Sequence, residues 1–449
     1  WMEISTRLLM HIWLGLFETS CILGEKVSGR KTKNMHKRRV RMEEKMINVS
    51  VLGYGTVGSG VVEIIRENAE IIKERTGEEI RVKSVLDLRE FEGDPVQEIL
   101  VHDFNEVVND KEVQIVVETM GGLHPAYEFV KASLKSGKSV CTSNKALVAD
   151  FGAELLEIAE SHQVNFLFEA SVGGGIPIIR PLKTALAPDE ILEISGILNG
   201  TTNYILTEMT NNGSAFDEVL KDAQAKGYAE ADPTADVEGH DACRKIAILT
   251  SLAYGKQLDF GDIYTEGITK ITDRDVAYAK KMNAKIKIFG SSKKEGDKVS
   301  AMVAPVLVYP DHPLYSVDGV FNAILVKGNM VGDVMFYGQG AGKLATASAV
   351  VSDVMEEAAH IGENMKTLWS HEKLRLVPND EAKNMFFVRL RGGKAENEEK
   401  VKEFFGTVDV VDAGFAEEYA FVTDEITEGR FNEAAEKLGN VIHRIRIRL

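Results

Sequence analysis

The sequence predicts an α/β protein: a doubly wound parallel sheet, then an α+β domain, then a small β-α-β-β-α-β tail. Three observations carry this. Short β-branched runs alternate with helical stretches from Ile47 to Phe168, the pattern of parallel strands joined by right-handed crossovers. Gly53-Tyr-Gly55-Thr-Val-Gly58 sits between the first such run and the first helix. After the Gly-Gly-Gly-Ile-Pro of residues 173–177 the alternation loosens into helices followed by strands joined by turns.

The first strand starts at Ile47 and runs into the glycine turn, and Val61 to Arg75 has helical periodicity. Glu79 to Leu88, Val113 to Glu118, Lys138 to Cys141 and Val164 to Phe168 read as further strands, with Ala126 to Ser136 and Ala153 to Ser161 as helices between them. In the second part Glu190 to Leu198 is a strand, and helices fall near 201–211, 214–226 and 239–254. Lys285 to Phe289, Ser300 to Tyr309 and Asn322 to Val326 read as antiparallel strands, and Leu344 to His360 as a helix long enough to return to the first domain. The last segment reads strand (Met385 to Arg391), helix (Glu398 to Phe405), strand (Val408 to Asp412), strand (Tyr419 to Thr423), helix (Phe431 to Leu438), strand (Val441 to Leu449). That order is the ferredoxin-like signature.

The 449 residues carry 53 Lys and Arg against 69 Asp and Glu, a net charge of −16. An acidic chain does not suit general nucleic-acid binding, which needs a basic face to displace counterions. Residues 1–46 differ from the rest, with ten Lys and Arg against five Asp and Glu, so the remainder stands at −21. Their apolar stretch Leu8 to Leu16 is too short to span a membrane and makes a poor signal peptide. We read residues 1–46 as a non-native or misassigned extension, with Met42 or Met46 as the more natural start; a basic tail at a membrane surface is the other reading. Three scattered cysteines, Cys21, Cys141 and Cys243, fit a reducing, cytoplasmic setting and no zinc site.

Four motifs carry chemistry. In the glycine run, Gly53 allows a tight turn, Gly55 a close approach of backbone to pyrophosphate, and Gly58 close strand–helix packing, with the phosphates at the helix N-terminus. This is the Rossmann-type fingerprint, although such a turn can be purely structural. Asp87 fits the ribose-reading acid in type but lies 29 residues past Gly58, beyond the usual spacing of about 20. Arg89 beside it suits a 2′-phosphate, so NAD and NADP both stay open. Lys145 ends Cys141-Thr-Ser-Asn-Lys at a strand's carboxyl end, where side chains face the ligand crevice; a solvated surface lysine is the plainer reading.

Asp241 and Lys245 stand i, i+4 on a strongly apolar helix after the polar run Gly227-Tyr-Ala-Glu230. A surface salt bridge of about 0.3–0.5 kcal/mol is the plain account; a cleft shared with Glu230 is the sharper one. Glu169-Ala-Ser-Val-Gly-Gly-Gly-Ile-Pro177 offers a carboxylate and free carbonyls, a set suited to a hard cation or simply to a turn between domains.

In order along the chain, these motifs resemble homoserine dehydrogenase from about Ile47 to the C-terminus. Leu198-Asn-Gly-Thr-Thr-Asn-Tyr204, Gly338-Gln-Gly-Ala-Gly342 and Thr346-Ala-Ser-Ala-Val350 add to the likeness, and the tail resembles an ACT regulatory domain. The resemblance implies a nucleotide-binding domain of residues 47–175 plus about 340–369, a catalytic and dimerisation domain of 176–339, a linker at 370–383 and an ACT-like domain of 384–449. It implies NAD(P)-dependent interconversion of L-homoserine and L-aspartate 4-semialdehyde in threonine, methionine and isoleucine biosynthesis, in a homodimer or homotetramer, with L-threonine as feedback effector. Lys245 is then the proton donor and acceptor, Lys145 assists, and Glu230 and Asp241 hold the substrate's ammonium group. Gly53, Tyr54, Gly55, Thr56, Val57, Gly58, Thr119, Lys145, Gly227 and Gly340 contact NADP or NAD. Glu169, Val172, Gly174 and Ile176 match a structural sodium site, the last three through carbonyls.

The residue types suit the reaction. Hydride addition to an aldehyde builds alkoxide charge that a nearby ammonium stabilises and protonates. A buried lysine among other cations lowers its pKa toward neutrality. The chain departs from the family's usual Gly-Pro-Gly-Ala-Gly-Gly-x-Pro-Thr at Gln339, Lys343 and Ala345. Two rivals remain. An aspartate-semialdehyde dehydrogenase needs a nucleophilic cysteine, but Cys243 inside the Asp241–Lys245 helix turn and Cys141 at a strand end are not in that family's setting. A dinucleotide-sensing regulator would have no need of two lysines and Glu230.

Overall fold

The computed structural model describes residues 46–448. The basic leader through residue 45, with Cys21, lies outside the described residues, so the reading of an N-terminal extension is untested by it.

Six strands form the first sheet: β1 (Met46–Leu52), β2 (Glu79–Leu86), β3 (Leu100–Val101), β4 (Val113–Glu118), β5 (Ser139–Thr142) and β6 (Phe166–Leu167). Their order is β3-β2-β1-β4-β5-β6, and the β1–β4, β2–β3, β4–β5 and β5–β6 pairs are parallel. β1 is buried on both faces after Met46, as a central parallel strand covered by helices must be. The strand order reverses between β1 and β4, so the crevice at their carboxyl ends is where such a sheet receives a ligand. Gly53, Asp87, Thr119 and Lys145 all follow strand ends on that edge.

The helix expected over Val61 to Arg75 is two helices, Thr56–Glu67 and Ala69–Thr76, broken at Asn68, and Gly77 ends the second in a left-handed conformation at φ 76°. The helix Lys145–Ser161 starts earlier than its apolar periodicity suggested, because the Asn144 side chain caps it by accepting from the Leu147 amide.

The second sheet contains β7 (Ile191–Ile197), β10 (Lys285–Glu295), β11 (Lys298–Val308), β12 (Phe321–Gly328) and β13 (Gly332–Gln339). Two short strands lie between β7 and β10 in sequence, β8 (Lys256–Gln257) and β9 (Tyr264–Thr265); β14 (Ser370–Lys373) pairs with β8 in a separate small sheet. The tail supplies β15 (Lys383–Arg391), β16 (Asp409–Val411), β17 (Glu418–Val422), β18 (Ile426–Thr427) and β19 (Val441–Arg448). β10 and β11 run beyond their expected ends into one long hairpin, and β13 lies where no strand was expected. Helices Gly200–Asn212 and His240–Tyr254 cover one face of this sheet. The second comes close because Gly290 carries no side chain: a Cβ there would lie 3.2 Å from that of Ile246. The helix Lys343–Ala359 then returns to the first sheet and packs on Thr56–Glu67, where Gly60 meets Ala347.

The tail forms a sheet ordered β19-β15-β17-β16, antiparallel throughout, with helices Lys394–Phe405 and Glu428–Leu438. This is the β-α-β-β-α-β arrangement expected. What the sequence did not reveal is that the tail continues the second sheet: β19 pairs parallel with β11 from Val306↔Arg446 to Val308↔Arg448. Two buried ion networks reinforce the join. Arg446 binds Glu428 at 2.5 Å and Glu266 at 2.9 Å, and Arg389 binds Asp275 and Glu418, each at 2.7 Å.

Candidate functional site

The glycine turn has the geometry a dinucleotide needs. Gly53 has φ 92°, and a Cβ on Gly58 would sit 1.9 Å from the Gly53 carbonyl oxygen. Gly55 opens onto free space, and no side chain caps the helix Thr56–Glu67 that it precedes. Its first amides therefore face the position of an anion. Thr119 supports the turn from behind, its hydroxyl donating to the carbonyls of Leu52 at 3.1 Å and Gly53 at 2.9 Å.

Asp87 follows β2 directly. Its carboxylate accepts from the Tyr54 amide at 2.8 Å and takes both Arg89 Nε (2.9 Å) and Nη2 (2.8 Å). The Arg89 guanidinium holds the Asp87 carboxyl well below the usual range. Asp87 and Arg89, treated in the sequence as alternatives, thus stand as one pair at the open edge.

Asp241, 5% exposed, is the centre of the second cluster. Its Oδ2 accepts from Lys245 Nζ at 2.7 Å and from Asn199 Nδ2 at 2.9 Å, and its Oδ1 pairs with Lys145 Nζ at 2.9 Å. Lys245, 8% exposed, also donates to the Leu198 carbonyl at 2.7 Å. Burial alone would raise the Asp241 pKa; the two ammonium groups outweigh it and hold the carboxyl well below its ordinary value. The Asp241 charge pushes Lys145 up, the opposite of the shift expected for a lysine among cations alone. The Asp241–Lys245 pair is therefore a buried element, not the surface salt bridge that spacing equally allowed.

Asp236 also belongs to the cluster: Asn199 Nδ2 reaches its Oδ1 at 2.7 Å, and burial raises its pKa. Sequence reasoning passed over it, although it lies in the same acidic run. Glu230 stands apart. It is exposed, and among the described residues no hydrogen bond or ion pair joins its carboxylate to the cluster. Gly227 is in a left-handed conformation at φ 74°, open to space.

The Glu169 carboxylate does not stand free as a ligand. It accepts from the amides of Ile178 (2.5 Å), Ile179 (2.8 Å) and Arg180 (2.7 Å). The loop after it closes through Ile176 N–H to the Gly173 carbonyl at 2.9 Å, and the carbonyls of Val172, Gly174 and Ile176 accept no hydrogen bond among the described residues. An oxygen-rich loop of that kind suits a hard cation held by carbonyls. The loop abuts the second glycine turn: Gly175 N–H donates to the Gln339 carbonyl at 3.1 Å, and a Cβ on Gly174 would meet the Gly340 carbonyl.

Both described cysteines are poor nucleophiles. Burial pushes the Cys141 thiol well up, beside Glu357 at 3.0 Å, and burial also raises Cys243. A thioester-forming dehydrogenase is not supported. No described helix is long and apolar enough to cross a membrane.

A family model described as "Homoserine dehydrogenase, NAD binding domain" matches residues 53–169, and one described as "Homoserine dehydrogenase" matches residues 177–355. A homoserine dehydrogenase of Neisseria gonorrhoeae is 39% identical over 409 residues, covering 89% of this chain and 92% of that protein. The crystal structure of a homoserine dehydrogenase from Thiobacillus denitrificans superposes with a TM-score of 0.82 at 36% identity, over 90% of this chain and 98% of that one. A hyperthermophilic archaeal homoserine dehydrogenase in complex with NADPH gives a TM-score of 0.62 at 29% identity, over 72% of this chain and 99% of that one.

Proposed function

The chain belongs to the homoserine dehydrogenase family of NAD(P)-dependent oxidoreductases, and from that premise we propose that it interconverts L-homoserine and L-aspartate 4-semialdehyde, with Lys245 moving the proton. The observation that carries this reading is the Lys245–Asp241–Lys145 bridge at the mouth of the parallel sheet, its Asp241–Lys245 half buried and its Lys145 end half-exposed.

The cofactor supplies the hydride acceptor and donor. Lys245 faces the substrate's 4-oxygen, holding its proton in one direction and giving it in the other. Lys145 stands between cofactor and substrate and balances the charge that grows on that oxygen. Asp241 fixes both ammonium groups, and it and Glu230, which stands outside the cluster, would receive the substrate's ammonium group. Tyr54, Thr56 and Val57 line the glycine turn that would receive the phosphates, and Gly227 and Gly340 would pack against the cofactor.

A sodium ion would be held by Glu169 and by the carbonyls of Val172, Gly174 and Ile176, which accept no hydrogen bond among the described residues. Its part is structural. The ferredoxin-like tail supports an ACT regulatory role with L-threonine as effector. The proposal keeps the domain limits given above, with a homodimer or homotetramer as the assembly. The free thiols of Cys141 and Cys243 support a cytoplasmic setting.

The test is oxidation of L-homoserine followed with NADP and with NAD, each repeated with L-threonine. Turnover with at least one cofactor is expected, lowered by L-threonine. No turnover with either contradicts the assigned reaction; turnover indifferent to L-threonine contradicts the effector alone.

A further inference from the structure

A cavity of about 940 Å³ lies at the seam where the tail continues the second sheet. Glu193 of β7, Ser291 of β10 and Ser300 of β11 line one side, and Asn384, Thr427 and Arg448 of the tail line the other. No residue of the lysine–aspartate cluster or of the glycine turns lines it.

Of the charged residues around this cavity, Glu193 and Arg448 are half-buried and the others are exposed. Arg448 Nε is buried without a partner, whereas its two terminal nitrogens are not sealed off and make no hydrogen bond or ion pair among the described residues. Burial lowers the Arg448 pKa and the Glu193 charge opposes this, yet the two form no ion pair among the described residues. Glu193 Oε1 accepts from the Ser195 hydroxyl at 2.9 Å, and its Oε2 takes no hydrogen bond among the described residues. A guanidinium and a carboxylate thus face one cavity without meeting. A lone anion there pairs with Arg448 but is repelled by Glu193, and a lone cation meets the reverse. A zwitterion satisfies both.

We propose that this cavity is a second binding site, for a free α-amino acid, whose carboxylate is held by the Arg448 guanidinium and whose ammonium group is held by Glu193. A planar guanidinium matches a carboxylate with two parallel hydrogen bonds. Occupancy has a route to the chemistry: five residues after Glu193 on the same chain segment, the Leu198 carbonyl takes the Lys245 ammonium group at 2.7 Å, and Asn199 binds Asp241. L-threonine, the effector proposed above, is such an amino acid, and in that respect the inference rests on that reading.

The experiment measures binding to the full chain and to its Arg448→Gln and Glu193→Gln variants. Each is titrated calorimetrically with L-threonine, L-methionine and L-isoleucine, then with the amide and the N-acetyl form of whichever binds, which lack one charge each. Thermal unfolding of both variants checks that they are folded. At least one amino acid is expected to bind the wild type, with its affinity lowered at least about tenfold by either substitution and by loss of either ligand charge. Affinity retained in both variants places the ligand elsewhere, as does tight binding of an uncharged-end analogue, and overturns the proposal; so does binding of none of the three. Binding of L-methionine or L-isoleucine alone, weakened in the variants, upholds this site and removes L-threonine as effector.

Discussion

Lys145 and Lys245 share one carboxylate: the first pairs with Asp241 Oδ1 at 2.9 Å and the second with Oδ2 at 2.7 Å. One lysine starts a helix of the parallel sheet and the other stands in a helix of the mixed sheet, so Asp241 joins the two halves of the site.

Replacing Asp241 by Asn removes the carboxylate that both ammonium groups touch, leaving only the more distant Asp236 charge in the cluster. Removing one partner of a buried pair costs about 3–5 kcal/mol. We expect Asp241→Asn to lower Tm by about 5 °C or more, and kcat/KM by at least about 100-fold through misplacement of Lys245. Calorimetry and steady-state kinetics check both, and a variant with wild-type kcat/KM would show that the bridge is dispensable.

Gly58→Ala forces a methyl group to within 1.9 Å of the Gly53 carbonyl oxygen, so the turn must open. The expected result is dinucleotide binding weakened by at least about tenfold, read by calorimetric titration. Unchanged affinity would mean that the turn does not hold the cofactor.

Asp275 governs stability in acid. Burial raises its pKa, but His443 at 3.1 Å and Arg389 at 2.7 Å outweigh it and hold the group at about 2. A folded-state pKa below the unfolded value stabilises the fold above about pH 4, and that contribution is lost as pH falls toward 2. It amounts to about 2 kcal/mol. Urea unfolding across this window is expected to show a loss that is smaller in Asp275→Asn, itself less stable at neutral pH. An equal loss in both proteins would assign the effect elsewhere.

The tail is expected to be indispensable to the fold. Ending the chain at residue 382 removes β15 and β19, exposes the β11 edge, and strips Glu266 and Asp275 of their arginine partners. Poor solubility or a much lowered Tm should result. A soluble truncated chain with an unchanged melting profile would show that the shared sheet contributes little.

Much of the fold was legible because its signals are local. The buried run of β1, the glycine turn and the helix patterns are set by neighbours within a few residues, and Gly53 and Gly58 make the tight turn and close packing that their spacing implied. What stayed hidden depends on distant pairing. Nothing near Lys145 in the chain announces that Asp241 will take it, and nothing in β19 announces β11. The helix split at Asn68 shows periodicity running on through a real break. Asp236 was missed because it stands among several acids in one run, and only the fold brings it to Asn199.

The role assigned to Lys245 is to move the proton while other residues hold the ligands. It is tested most directly by Lys245→Ala, assayed for L-homoserine oxidation and titrated with the cofactor in the same preparation. The account predicts turnover reduced by at least about 100-fold with cofactor affinity nearly unchanged; turnover close to wild type would contradict it.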